Sequence, residues 1–207
     1  MRIKELLVML PLVLLPLAAT AQVKGDLPVG TTPTTTTATE LPKQTAHERI
    51  RFLLSAYHLF PTPEQFATAG TEAEVSQILR EMTQDPNMVP SFRLRAMDAL
   101  AFYGDDLTLA LLEHTISTPT DDQPENERGT ANLLRHHAIM SFAKLRGEAA
   151  LPALEPLLVG KDLQLKLTAI SAVGKQCGLA GVTRLRKLRT SDEHRAVQHE
   201  IRKFIQN

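Results

Sequence analysis

The chain has no Trp, one Cys and 4% aromatic residues, and its 23 Lys and Arg are balanced by 23 Asp and Glu. Each shortage excludes something. A single thiol, Cys177, leaves no internal disulfide framework and no multi-thiolate metal cluster. Zero net charge argues against a protein whose main work is to coat nucleic acid or an anionic membrane, since that affinity comes from many uncompensated cations. The scarcity of aromatics removes the surface on which bases would stack, so nucleic acid is not expected as a partner. There is no Gly-rich phosphate loop, nucleophile elbow or zinc motif. What is present is a Leu- and Ala-rich chain of 207 residues, 43% of them hydrophobic, the composition of an ordinary globular protein.

The beginning of the chain does not read as part of a fold. Met1 to Ala21 has the layout of a cleavable secretion signal: Arg2 and Lys4 at the start, an apolar run from Leu6 to Leu17, and the small-x-small site Ala19-Thr20-Ala21 before Gln22. The apolar run is broken by Pro11 and Pro16 and falls short of the roughly 20 residues a spanning helix needs, so no stable membrane insertion is expected after cleavage. No Cys follows the cleavage site to take a lipid. The expected location is secreted or periplasmic, in a bacterial cell envelope. Residues 22–46 hold Gly25, Pro28, Gly30, Pro42 and the run Thr31-Thr32-Pro33-Thr34-Thr35-Thr36-Thr37, with little to bury, and are expected to be a disordered linker.

From His47 onward apolar residues recur at helical spacing, and the helices repeat one another. The segment from Phe92 to Ala101 matches Leu134 to Ala143 and again Leu165 to Gly174. Shared positions are a large apolar residue (Phe92, Leu134, Leu165), a cation (Arg93, Arg135, Lys166), a small Ala (Ala96, Ala138, Ala169) and a Met or Ile (Met97, Ile139, Ile170). The last two copies are 31 residues apart, and one further step lands on Ile201, Phe204 and Ile205, which puts another copy at the C-terminus. Gly104, Gly147 and Gly178 are expected to close the first helices in a left-handed conformation. Second helices follow, with stripes Leu109/Leu112/Ile116, Leu151/Leu154/Leu158 and Val182/Leu185/Leu188. The first interval is 42 rather than 31, and the excess is assigned to an inserted surface loop, Thr118 to Gly129. A looser copy precedes these: Glu48 to Phe60, a break at Pro61-Thr62-Pro63, a turn at Glu64 to Thr68, and Glu72 to Thr83. Pro156 is expected to bend its helix or delay its start.

Arg95-Ala96-Met97-Asp98-Ala99-Leu100-Ala101 and Ala150-Leu151-Pro152-Ala153-Leu154 resemble HEAT repeats of the short bacterial, phycobilisome-lyase type, and the resemblance covers residues 47–207. It implies an all-α fold, a right-handed α-solenoid of about four to five HEAT-like helix pairs. It further implies that second helices line the concave side, so that a ligand would meet Glu113, Glu155, Arg184 and Lys187. In such an array no pair buries its own apolar face, and stability comes from stacking.

The neutral total hides a division. Asp105 to Glu127 holds seven acids and no Lys or Arg, while Lys161 to Asn207 holds ten basic residues against four acids. In the basic part, Arg184, Arg186, Lys187 and Arg189 surround Leu185 and Leu188 on one amphipathic helix, which reads either as a patch for an acidic partner or as a solvated face. The expected function is that of an exported, non-catalytic scaffold or adaptor binding a protein partner, with no cofactor, no catalytic residue and no metal. Self-association of the acidic middle with the basic end is left open. An alternative uses the similarity of His199-Glu200 to the His-Glu pairs of the HEAT-like deoxyhypusine hydroxylases, with His137 in a related position. Only one such pair stands in phase, where a di-metal site needs several convergent ligands. His136-His137, Cys177 and the loop acids Asp121, Asp122, Glu125 and Glu127 are read as structural or solubilising rather than as ligands or nucleophiles.

Overall fold

The computed structural model describes residues 44–56, 59–121 and 123–205. The signal, 1–21, and nearly all of the 22–46 linker lie outside the described residues. The described residues are all-helical: α1 (Ala46–Ser55), α2 (Pro63–Ala67), α3 (Glu72–Gln84), α4 (Pro90–Ala99), α5 (Asp106–Ser117), α6 (Glu125–Arg146), α7 (Leu151–Val159), α8 (Leu163–Gln176), α9 (Gly178–Ser191) and α10 (Arg195–Ile205), with short 3-10 turns at Leu100–Phe102 and Gly147–Ala150. No strand is present among them.

Local chemistry sets the ends of these helices. Thr45, Thr62 and Thr71 open α1, α2 and α3, each accepting a bond from the backbone three residues on while Glu48, Gln65 or Glu74 reaches back, so two otherwise orphaned N–H groups are satisfied at each start. Asp105 and Asp162 cap α5 and α8 in the same sense. At the other ends, Gly147 and Gly178 have φ of 54° and 52°, a region that penalises any side chain with a Cβ. Gly104 does not share it, because α4 tightens into the 3-10 turn and leaves through an extended Tyr103.

The helices pack in the order of the repeat. α4 lies against α6, α6 against α8 and α8 against α10, while α5 packs on α6 and α7 on α8, and α9 contacts both α8 and α10. Burial follows the same register: Met97, Ile139, Ile170 and Ile201 are all 0% exposed, as are Ala96, Ala138 and Ala169 one position before. The small residues let the neighbouring helices approach while Met97 and the three isoleucines fill space in the core. Ser141, buried in α6, donates to Met97 O of α4 at 3.0 Å, so the two backbones are tied at closest approach.

Two expectations need correction. The insert is not a loop throughout: Thr118 to Pro124 lies between helices, but from Glu125 the added residues wind into α6 and make it 22 residues long. Pro156 does not delay the start of α7, which begins at Leu151 and runs to Val159. Its ring falls in the second turn of a helix already begun at Leu151, after a preceding 3-10 turn, with Pro152 occupying the first turn where a missing N–H is harmless.

Candidate partner-binding face

The expected site residues sit on three second helices. Glu113 is exposed on α5; Glu155 is half-buried on α7; Arg184 is half-buried on α9, where Arg186, Lys187 and Arg189 are exposed. The fold brings two of them together. Arg184 Nε lies 3.0 and 2.8 Å from the two oxygens of Glu155, and its terminal nitrogen also bonds that carboxylate. The forked guanidinium holds the Glu155 carboxyl below the ordinary carboxylate range and raises Arg184 in turn. This pair clips α7 to α9, so neither charge is spare. Arg186, Lys187 and Arg189 have no carboxylate within ion-pair distance among the described residues. Lys187 and Arg184 line a shallow hollow of about 480 Å³ with Glu148, Thr183 and the exposed Leu179.

Glu113 stands apart from that group. It lines a cleft of about 670 Å³ between α5 and α7, whose walls are the stripes Ala110/Glu113/His114/Ser117 and Ala153/Pro156/Leu157. Residues three and four apart share a helix face, so each wall is one continuous face. Arg135 of α6 lines the cleft too and donates its Nε to Ile116 O at 2.7 Å, meeting a carbonyl near the end of α5 that has no intrahelical partner. Arg135 was visible in the sequence as the shared cation of the repeat, but nothing there distinguished it from Arg93 or Lys166.

The acidic segment is less free than its composition suggests. Asp105 accepts from Arg80 at 2.9 Å and Glu127 from Arg93 at 3.0 Å, both cations lying upstream of the segment. Asp122 lies outside the described residues.

Among the described residues the histidines do not assemble. His137 Nδ1 is 2.6 Å from Asp98 Oδ1, His136 Nδ1 is 2.5 Å from Thr168 Oγ1, His199 is exposed, and Glu200 accepts from Lys203 at 2.6 Å. Burial pushes the His136 imidazole below its usual range. Among the described residues no three His, Cys, Asp or Glu side chains converge in a way that could hold a metal ion. Cys177 is buried, its thiol donating to Gly147 O at 3.2 Å, and burial raises it, which keeps it protonated. No helix among the described residues is long and apolar enough to cross a membrane. Set beside models of protein families and beside curated proteins, the chain matches none of them.

Proposed function

We propose that the chain is an exported, non-catalytic scaffold, a right-handed α-solenoid of four to five HEAT-like helix pairs that binds a protein partner of the cell envelope through the face built by α5, α7 and α9. One observation carries the reading: positions 31 residues apart, Ile139, Ile170 and Ile201, are equally and fully buried, and so is Met97 across the longer interval. Equal burial at equal spacing is what a stacked array requires, since each unit is completed by its neighbour. The spare cations Arg186, Lys187 and Arg189 supply the complementary charge for an acidic partner surface, where they would raise the association rate and set orientation more than affinity.

The test is cross-linking in intact cells followed by mass spectrometry of the chain recovered from the envelope. Cross-links from the partner to α9 are expected, together with their loss on changing Arg186, Lys187 and Arg189 to Glu, with the helical circular dichroism unchanged. Recovery of a chain that still begins at Met1, or cross-links indifferent to the triple change, would sink the proposal.

A further inference from the structure

Three equivalent cations of the repeat meet different surroundings. Arg93 donates Nε to Thr83 O near the end of α3 at 3.1 Å and Nη1 to the Glu127 carboxylate at 3.0 Å. Lys166 Nζ bonds the Asp192 carboxylate at 2.7 Å. Arg135 repeats the carbonyl contact of Arg93, bonding Ile116 O, but no carboxylate of the described residues reaches it. Its terminal nitrogens make no hydrogen bond to a described residue. A partly buried guanidinium without a carboxylate partner among the described residues sits in a lower dielectric than a surface one, so a carboxylate brought to it from outside gains more than it would at an exposed cation.

The space beside Arg135 is shaped to receive one. Besides the α5–α7 cleft, a second hollow of about 360 Å³ shares Arg135, Pro156 and Leu157 in its lining and is walled by Pro119 and Asp121 of the interhelical segment and by Lys161 and Asp162. Arg135 is common to the two linings, and each hollow falls within the roughly 300–1,000 Å³ of ordinary ligand sites. Ala153 and Leu157 give the first hollow an apolar wall, while Glu113 in its lining and Asp121 and Asp162 in that of the second disfavour a polyacidic chain.

We infer that this cleft binds an extended segment of the partner protein through a single Asp or Glu side chain seated on Arg135, with a neighbouring apolar side chain packed on Ala153 and Leu157. The inference rests on the scaffold reading above and names the chemistry of its partner.

The probe is a terminally blocked pentapeptide with one glutamate flanked by leucines, titrated into the intact chain and followed by amide NMR, against the same peptide carrying glutamine. The glutamate peptide is expected to move signals of residues 110–117 and 153–160, and the glutamine peptide to bind at least tenfold more weakly. Arg135→Gln should erase the difference. If that variant fails to fold, Ala153→Trp, which fills the cleft and leaves Arg135 in place, should block binding. Equal affinity of the two peptides, shifts confined to other helices, binding that survives the variants that fold, or acetate competing as well as the glutamate peptide would each overturn the inference. Cross-links to α9 that persist in Arg135→Gln would leave the scaffold reading standing while the cleft falls.

Discussion

Ile139 is the position at which stacking can be tested most sharply. It is fully buried in α6, a helix that packs against α4, α5 and α8. Ile139→Ala deletes three carbons, about 2.4 kcal/mol at ~0.8 kcal/mol per buried methylene. A void that fails to close adds about 24 cal/mol per Å³, or ~1–2 kcal/mol for a cavity of about 40–80 Å³. The expected loss is therefore about 3–4 kcal/mol, a large part of the roughly 5–15 kcal/mol that holds a domain folded. Ile201 is as buried but belongs to α10, whose main neighbours are α8 and α9. With fewer helices holding it, α10 can shift to close the void, so Ile201→Ala should lose nearer 2 kcal/mol. Urea unfolding followed at 222 nm gives both numbers from midpoint and slope. Hydrogen exchange adds the spatial test: Ile201→Ala should release the amides of α10 first and leave those of α3 and α4 protected. Equal losses at the two sites, or protection falling uniformly along the chain in Ile201→Ala, would refute nearest-neighbour stacking.

Further outcomes follow from single sites. Gly129 is exposed within α6 with nothing near its missing Cβ, so Gly129→Ala should stabilise by about 0.5–1 kcal/mol, whereas Gly147→Ala, at φ 54°, should destabilise by about 1–2 kcal/mol despite ample room; urea midpoints decide both. The bond from Lys166 holds Asp192 below its ordinary value of 3.8, with side-chain exposures of 15% and 13%. A carboxylate lowered in the folded state contributes stability above its unfolded value that is lost as pH falls through the folded one, so Asp192→Asn should flatten the decline of the melting temperature below about pH 4. His136 is lowered by burial, so the unfolded chain takes its proton first as pH falls below about 6.5, and His136→Gln should reduce the stability lost on acidifying from neutral. An imidazole NMR titration placing His136 at or above the ordinary histidine value would contradict that account.

How much of this was legible depends on the kind of information. The repeat was readable because core positions are selected by volume: Met97, Ile139, Ile170 and Ile201 stand in register both as letters and as buried side chains. The end of α4 was not, since Gly104 looks like Gly147 and Gly178, and only the local choice of a 3-10 turn separates them. The Thr starts of α1 to α3 follow a local spacing, Thr followed three residues on by Glu or Gln, which is independent of the core periodicity. Charge was the least legible property. A run of seven acids does not say which are paired, and the cations that pair Asp105 and Glu127 lie 25 and 34 residues away, outside any window in which the run would be read.

The insert ties these observations together. A strict 31-residue repeat would have carried the chain from α5 to α6 eleven residues sooner than the observed interval of 42. The extra residues extend α6 and place Glu127 on Arg93 of α4, so that one repeat cation is neutralised from within. The same residues supply Pro119 and Asp121 as the wall of the hollow beside Arg135. One insertion thus gives two equivalent cations different surroundings, closing the first and opening the second. Glu127→Gln should accordingly weaken the hold on α6 at its N-terminal turns, which hydrogen exchange would show as earlier release of residues 125–131, and should leave peptide binding at Arg135 unchanged. A loss of binding there would mean that the insert acts on the cleft through the position of α6, and that the two cations are coupled rather than separately set.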